Sequence, residues 1–102
     1  MIRFNFSFNV EDEISGEWLD FVHRVFIPAM TRSGLLQNAA LFRLMQQEPQ
    51  GQTFVLQFDI RSFDDLNRFK AHELEALLRE LTEKFGDKVV FFFTEMEQIN
   101  SR

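Results

Sequence analysis

The side chains with the clearest potential for chemistry alternate with apolar ones near the start of the chain. Arg3, Asn5, Ser7 and Asn9 occupy odd positions of residues 2–10, and every even position carries a large apolar side chain. Such alternation is typical of a β-strand with two different faces, so the polar groups project from one face. A guanidinium, amides and a hydroxyl on one face can orient a small molecule by hydrogen bonding. We therefore predict a ligand site on this face.

Neighbouring strands add further polar groups to the predicted site. Thr53, Gln57 and Asp59 occupy the odd positions of a second alternating stretch, and Arg43 precedes it. A concave, largely apolar space with a few convergent polar groups is the usual form of a small-molecule pocket. The alternative is that these groups face water or bond across a subunit interface. The predicted ligand-binding set is Arg3, Asn5, Ser7, Arg43 and Gln57.

Catalytic candidates are few, because the chain has two histidines and no cysteine. His23 and His72 are candidates for a general base, since imidazole commonly serves that role. Neither has a second histidine at a metal-ligand spacing, so we predict no metal site. Asn5 is the third candidate. The alternative for each histidine is a helix-surface residue in contact with solvent or another subunit.

Composition excludes several classes of partner and cofactor. The net charge of −5, without a cluster of basic residues, opposes binding to nucleic acid. No apolar run approaches the ~20 residues of a membrane span, and no secretory signal pattern is present, so we expect a cytoplasmic protein without membrane contact. Glycine spacing matches no nucleotide-binding motif, and we predict no cofactor. Fourteen Phe and one Trp, without Tyr, predict an aromatic core that lacks hydroxyl groups.

The hydrophobic pattern places these side chains on six elements in the order βαββαβ. We predict strands over residues 2–10, 35–47, 53–60 and 88–99, with a turn at residues 48–51. The first helix begins near Ser15, is kinked by Pro28, which lacks an N–H, and is followed by Gly34. The second begins after a Ser62 cap and ends at Gly86.

Apolar periodicity predicts which side of each element is buried. The inner stripe of the first helix is Trp18, Val22, Val25 and Ala29. The second strand is predicted to place Leu36, Ala40, Phe42 and Leu44 on one face and Leu35, Ala39, Leu41 and Met45 on the other. The last strand is predicted to place Val89, Phe91 and Phe93 on one face and Val90, Phe92 and Met96 on the other.

The element order predicts an α+β, ferredoxin-like βαββαβ fold. In this plan a four-stranded antiparallel sheet has strand order 4-1-3-2, with both helices on one face. The other face would then carry an apolar patch of the kind that marks an interface, formed by Leu41, Met45, Val55, Val90 and Phe92. Two such sheets packed face to face would make a homodimer. We assign residues 1–99 to one domain and residues 100–102 to a tail.

Three segments together resemble a domain-of-unknown-function family of short, single-domain bacterial proteins. They are Glu17-Trp18-Leu19, Phe26-Ile27-Pro28 followed by Gly34-Leu35, and Phe85-Gly86-Asp87-Lys88. The resemblance extends over nearly the whole chain and implies the dimeric α/β-barrel superfamily. That superfamily includes cofactor-independent antibiotic-biosynthesis monooxygenases, haem-degrading enzymes, muconolactone isomerases and small ligand-sensing domains.

Three hypotheses for function follow from these residues and the resemblance. The first is a protein that binds a small, largely apolar molecule in the barrel interior. The second is a cofactor-independent monooxygenase or isomerase, in which Asn5 and His72 resemble a substrate-orienting pair. The third is a purely structural dimer or protein-interaction module. The second hypothesis requires Asn5 and His72 to reach one cavity.

Overall fold

The computed structural model, which describes residues 1–45 and 50–100, is a four-stranded antiparallel sheet with both helices on one face. The strands are β1 (Ile2–Val10), β2 (Leu36–Arg43), β3 (Gln52–Ile60) and β4 (Val89–Glu97), in the order β2-β3-β1-β4. All three neighbouring pairs are antiparallel. This confirms the predicted ferredoxin-like fold and strand order. Predicted features at residues 46–49 and 101–102 lie outside the described residues.

Alternation in β1 produces the main core of the protein. Phe4, Phe6 and Phe8 are completely buried, and the even positions of β3 from Phe54 to Ile60 are buried beside them. The Phe6 ring centroid lies 5.0 Å from Phe4 and 5.5 Å from Phe8. Residues of both helices belong to the same buried cluster, so the helices cover this face of the sheet. Burial of large aromatic side chains is the main source of stability here.

The first helix covers residues 15–31 and contains a wide turn. It runs as an α-helix over Ser15–Phe21, a π-helix over Val22–Phe26 and an α-helix over Ile27–Thr31. The π-helical turn, with its i→i+5 hydrogen bonds, ends two residues before Pro28, which has no N–H to donate. The kink predicted at Pro28 stays a prediction.

This wide turn corrects the predicted inner stripe of the first helix. Val25 is 38% exposed and Ala29 is only partly buried, whereas Phe26 and Met30 are buried. A π-helical turn holds more residues than an α-helical one, so the inward positions continue from Trp18 and Val22 at a spacing of four. The prediction was right for Trp18 and Val22 and wrong beyond the turn.

The second helix covers residues 63–85 and is capped as predicted. Its segments are Phe63–Phe69, a π-helical turn over Lys70–Leu74, and Glu75–Phe85. The Ser62 hydroxyl accepts a hydrogen bond from the Asp65 backbone N–H at 3.2 Å. Gly86 ends the helix at φ +59°, a conformation that favours glycine. Within the described residues, no helix has the length and apolarity needed to cross a membrane.

A hydrogen-bonded pair of carboxyl groups at the corner after β1 gives a pH-dependent prediction. The hydrogen bond with Glu13 raises the pKa of Glu11 above its ordinary value of 4.5, assisted by desolvation and the Glu13 charge. A carboxyl group whose pKa is raised by folding favours the folded state when protonated. That contribution is full below the ordinary pKa and is lost as pH rises through the raised pKa.

We expect Glu11→Gln to raise the Tm slightly near pH 7, because the amide stays neutral and can still donate to Glu13. The gain should vanish below about pH 4, where the native carboxyl is itself protonated. Thermal unfolding followed by circular dichroism at the two pH values measures this. Glu83→Gln removes the same charge from an exposed position of the second helix. An equal gain in that control would attribute the effect to net charge alone.

Candidate functional site

None of the described elements, in residues 1–45 and 50–100, covers the face of the sheet opposite the helices, and we call it the open face. It carries the odd positions of β1 and β3 and the alternate positions Val90, Phe92, Thr94 and Met96 of β4. Strand register aligns these side chains in rows that run across the sheet. The predicted division of β4 into Val89, Phe91 and Phe93 on one side and Val90, Phe92 and Met96 on the other is confirmed.

One of these rows is largely apolar and spans all four strands. Phe42 pairs with Val55, Val55 with Ser7, and Ser7 with Phe92. Phe42 is 54% exposed, Phe92 is 62% exposed, and Val90 beside this row is 63% exposed. Large side chains with this exposure, contiguous on one sheet face, form the type of patch that marks an interaction surface.

A β-bulge in β2 corrects the predicted faces of that strand. The pairing with β3 shifts register between Gln37 and Ala40, and Asn38 within the bulge has φ +56°. The extra residue reverses the alternation that the sequence suggested. Leu41 therefore packs against the core, while Ala40 and Phe42 lie on the open face. Leu44 and Met45 follow the end of the strand, and Met45 is 97% exposed.

The bulge also separates Arg43 from the predicted ligand-binding set. Arg43 pairs with Phe54, whose side chain is buried on the helix-covered face. The Arg43 guanidinium carbon lies 5.6 Å from the centroid of the Phe54 ring, within the range of a cation–π contact. The predicted placement of Arg43 was therefore wrong. Arg3, Asn5, Ser7 and Gln57 do share the open face, as expected from their alternation.

Hydrogen bonds connect the polar side chains at one end of the open face. Arg3 Nε donates to Asp59 Oδ1 at 3.2 Å, and Asn38 Nδ2 donates to Asp59 Oδ2 at 3.0 Å. In the adjacent row, Gln57 Nε2 donates to Asn5 Oδ1 at 3.0 Å. Four of these five residues border an open depression of about 400 Å³, which is lined by Arg3, Asn38, Ala40, Phe42, Gln57 and Asp59. Its volume lies within the usual range for small-molecule sites.

Sequence reasoning missed Asn38 as part of this arrangement. Strict alternation did not place Asn38 near Asp59, because the hydrophobic pattern shows no break at the bulge. The bulge turns the Asn38 amide toward Asp59. The available signal was the residue type: asparagine adopts positive φ more readily than most residues. An asparagine inside a predicted edge strand is thus a useful indicator of a bulge.

The two histidines lie away from this depression. His23 is exposed on the first helix, with Nδ1 3.4 Å from the Leu19 carbonyl oxygen. His72 is exposed on the second helix, which covers the opposite side of the sheet from Asn5. Asn5 and His72 therefore do not share a cavity within one chain. The predicted use of these two residues as a substrate-orienting pair in one protomer was wrong.

No cluster of three or more potential metal ligands occurs among residues 1–45 and 50–100. The polar groups of the open face are suited instead to hydrogen bonding. Arg3 and Asn5 provide N–H donors, and the side-chain oxygen of Gln57 is an acceptor. The arrangement can therefore hold an oxygen-bearing molecule beside the apolar row.

A family model described as "Domain of unknown function (DUF4286)" matches residues 1–99. No curated protein matches the chain. Solved structures with similar folds include HapK from Hahella chejuensis, at 12% identity and TM-score 0.72, covering 100% of this chain and 96% of that chain.

Two further structures extend the comparison. SnoaB from Streptomyces nogalater, described as a cofactor-independent oxygenase, has 12% identity and TM-score 0.69 over 98% of this chain and 94% of that chain. A dimeric ferredoxin-like protein from an uncultured marine organism has 13% identity and TM-score 0.66 over 99% of this chain and 96% of that chain. At identities this low, the structural similarity shows a shared fold alone.

Proposed function

The chain belongs to the DUF4286 family, a domain of unknown function, and on that premise we propose that it forms a homodimer that binds a small, largely apolar molecule. In this proposal the open faces of two subunits pack together. The polar groups beside the apolar row line the space between the two sheets. Similar structures that are described as dimeric ferredoxin-like proteins support this assembly.

The observation that carries the proposal is the apolar row Phe42–Val55–Ser7–Phe92. Its two aromatic side chains remain more than half exposed in the single chain, although Phe4, Phe6 and Phe8 on the opposite face of the same sheet are completely buried. Covering this row removes apolar surface from water, which favours association by roughly 25 cal/mol per Å² before the entropic cost of binding. A two-fold axis places the same row on both subunits.

The depression of about 400 Å³ beside the row supports the binding of a small molecule. A second sheet placed over the open face would enclose this space and exclude much of the water. Enclosure strengthens the hydrogen bonds that Arg3, Asn5 and Gln57 can make, because the local dielectric constant falls. The apolar row would meanwhile favour a ligand with a largely hydrocarbon body.

Native mass spectrometry of freshly purified protein tests both parts of this proposal. We expect a species at twice the 12.2 kDa chain mass, with an additional mass that is lost on denaturation. A dimer without added mass, after incubation with a metabolite extract of the producing cells, would favour the structural-dimer hypothesis. A monomer at every concentration tested would contradict the proposed assembly.

A cofactor-independent oxygenase or isomerase that uses Asn5 without His72 is the second candidate. The amide of Asn5 favours it, because its oxygen accepts from Gln57, while its Nδ2 has no hydrogen-bond partner among residues 1–45 and 50–100 and can donate on the open face. Such a donor can stabilise oxyanion character in a bound substrate. Incubation of the released molecule with the protein under air distinguishes the classes: an oxygenase adds the mass of oxygen, an isomerase changes only the retention time, and a binding protein returns it unchanged.

A further inference from the structure

Arg3 is held in place by a carboxylate whose own hydrogen-bonding capacity is largely occupied. Asp59 accepts from Arg3 through one oxygen and from Asn38 through the other. Its side chain is 18% exposed, whereas that of Arg3 is 51% exposed. The carboxylate of the pair is therefore fixed and mostly covered, whereas the guanidinium is accessible. The N–H donors that remain available are those of the guanidinium.

The contact to Asp59 uses only the Nε side of the guanidinium. Arginine carries five N–H donors in a planar fork, and the end formed by the two Nη atoms can bind a carboxylate through two parallel hydrogen bonds. Among the residues that the structure describes, no partner is recorded for these Nη donors. Asp59 thus orients Arg3 through Nε and leaves the two Nη atoms of Arg3 available.

The bulge at Asn38 indicates that this orientation is built into the edge of the sheet. The φ of +56° at Asn38 is uncommon for a residue other than glycine. The amide of Asn38 reaches the second oxygen of Asp59. Bulges often redirect a side chain in this way beside a functional site.

The surroundings of Arg3 favour one side for an occupant. The depression toward β2 includes the exposed aromatic ring of Phe42 and the Ala40 side chain. A second depression, of about 320 Å³, is also bordered by Arg3 and contains the acid Glu97. The acid of the first depression is Asp59, whose two oxygens already accept from Arg3 and Asn38. The site toward β2 thus combines an oriented cation with an apolar wall.

We propose that the ligand is an apolar carboxylate, with its carboxylate on the Nη end of Arg3 and its hydrocarbon body against Phe42. This inference rests on the proposed function and specifies the chemical class of the ligand. Asp59 and Asn38 act as positioning residues, since they touch Arg3 or each other and contribute no unused charge to the site. Phe42 also belongs to the apolar row, so a bound ligand adjoins the subunit interface.

Calorimetric titration with two matched probes tests the inference. 1-Naphthoate carries the carboxylate, and 1-naphthamide has the same ring system without the charge. We expect the dimer to bind 1-naphthoate at least about tenfold more tightly than 1-naphthamide, the ratio expected for hydrogen bonds to a charged group. Arg3→Met should abolish this preference while leaving the weaker binding of the amide unchanged.

Arg24→Met is the matched control, because Arg24 Nε also contacts a carboxylate, that of Asp20 at 2.8 Å, but on the exposed surface of the first helix. This variant should keep the preference for 1-naphthoate. Arg3→Lys retains the charge without the planar fork, so it should bind 1-naphthoate more weakly than the native chain and more tightly than Arg3→Met. Its native mass also checks that the dimer survives a change at this position.

The outcomes separate this inference from the proposed function. Equal affinity for the two probes, unaffected by Arg3→Met, would overturn the carboxylate assignment and leave a neutral-ligand site intact. Failure of both probes to bind would overturn the carboxylate assignment as well. The binding function itself would be contradicted if neither probe bound and native mass spectrometry also showed no retained molecule.

Discussion

Phe92→Glu is expected to convert the dimer to monomers at concentrations where the native chain is dimeric. Phe92 is 62% exposed in the single chain, and its row partner Ser7 lies on the central strand β1. In the proposed assembly this change would place a carboxylate from each subunit in a dry contact. Leaving one buried charge unpaired costs about 3–5 kcal/mol, so we expect at least a 100-fold rise in the dimer Kd. Sedimentation velocity over a concentration series measures this change.

Phe63→Glu is the control for this experiment. Phe63 is 58% exposed, close to the value for Phe92, but it lies at the start of the second helix on the other side of the sheet. It should leave the dimer unchanged, and both variants should retain native circular dichroism because neither side chain is buried in the monomer. A Phe92→Glu protein that remained dimeric would show that the interface lies outside the apolar row.

Phe6→Ala is expected to destabilise the fold itself. Phe6 is completely buried, and its ring lies 5.0 Å from Phe4, 5.5 Å from Phe8 and 5.8 Å from Phe93. Truncation removes these contacts and leaves a cavity at the centre of the sheet. We expect a loss of about 3–5 kcal/mol in the free energy of unfolding, a large part of the ~5–15 kcal/mol typical of a domain. Urea unfolding measures this loss.

The comparison variant is Phe63→Ala, which removes the same atoms from an exposed position. Its free energy of unfolding should change by less than about 0.5 kcal/mol. Both proteins need to be compared with the native chain at one concentration, since dissociation of a dimer contributes to the measured stability. Similar losses in the two variants would contradict the assignment of Phe6 to a tightly packed core.

Local patterns predicted the parts of the fold that depend on regular geometry. The alternation of Phe4, Phe6 and Phe8 was sufficient for β1, because strand side chains repeat every two residues. The Ser62 cap and Gly86 marked the ends of the second helix through hydrogen-bonding capacity and backbone freedom. The family resemblance drawn from scattered segments is also confirmed, since the DUF4286 model matches residues 1–99.

Predictions failed where one residue is added to a regular repeat. The π-helical turn before Pro28 moved Phe26 inward and Val25 outward, and the bulge at Asn38 exchanged the faces of Leu41 and Phe42. Periodicity assumes a constant number of residues per turn or per pleat, so it cannot locate such additions. The same bulge accounts for the misplaced Arg43 and for the unforeseen contact between Asn38 and Asp59.

The bulge in β2 also has a consequence for how this edge strand can vary during evolution. An inserted residue in a regular strand turns every later side chain to the other face, which makes most such insertions harmful. Here the bulge absorbs the extra residue, so Leu41 and Phe42 keep the faces that they would have in a chain one residue shorter. A relative that lacks Asn38 would keep the same side chains in the core and lose only the hydrogen bond that the Asn38 amide donates to Asp59. Changes in length can therefore add or remove a functional group here without rebuilding the sheet.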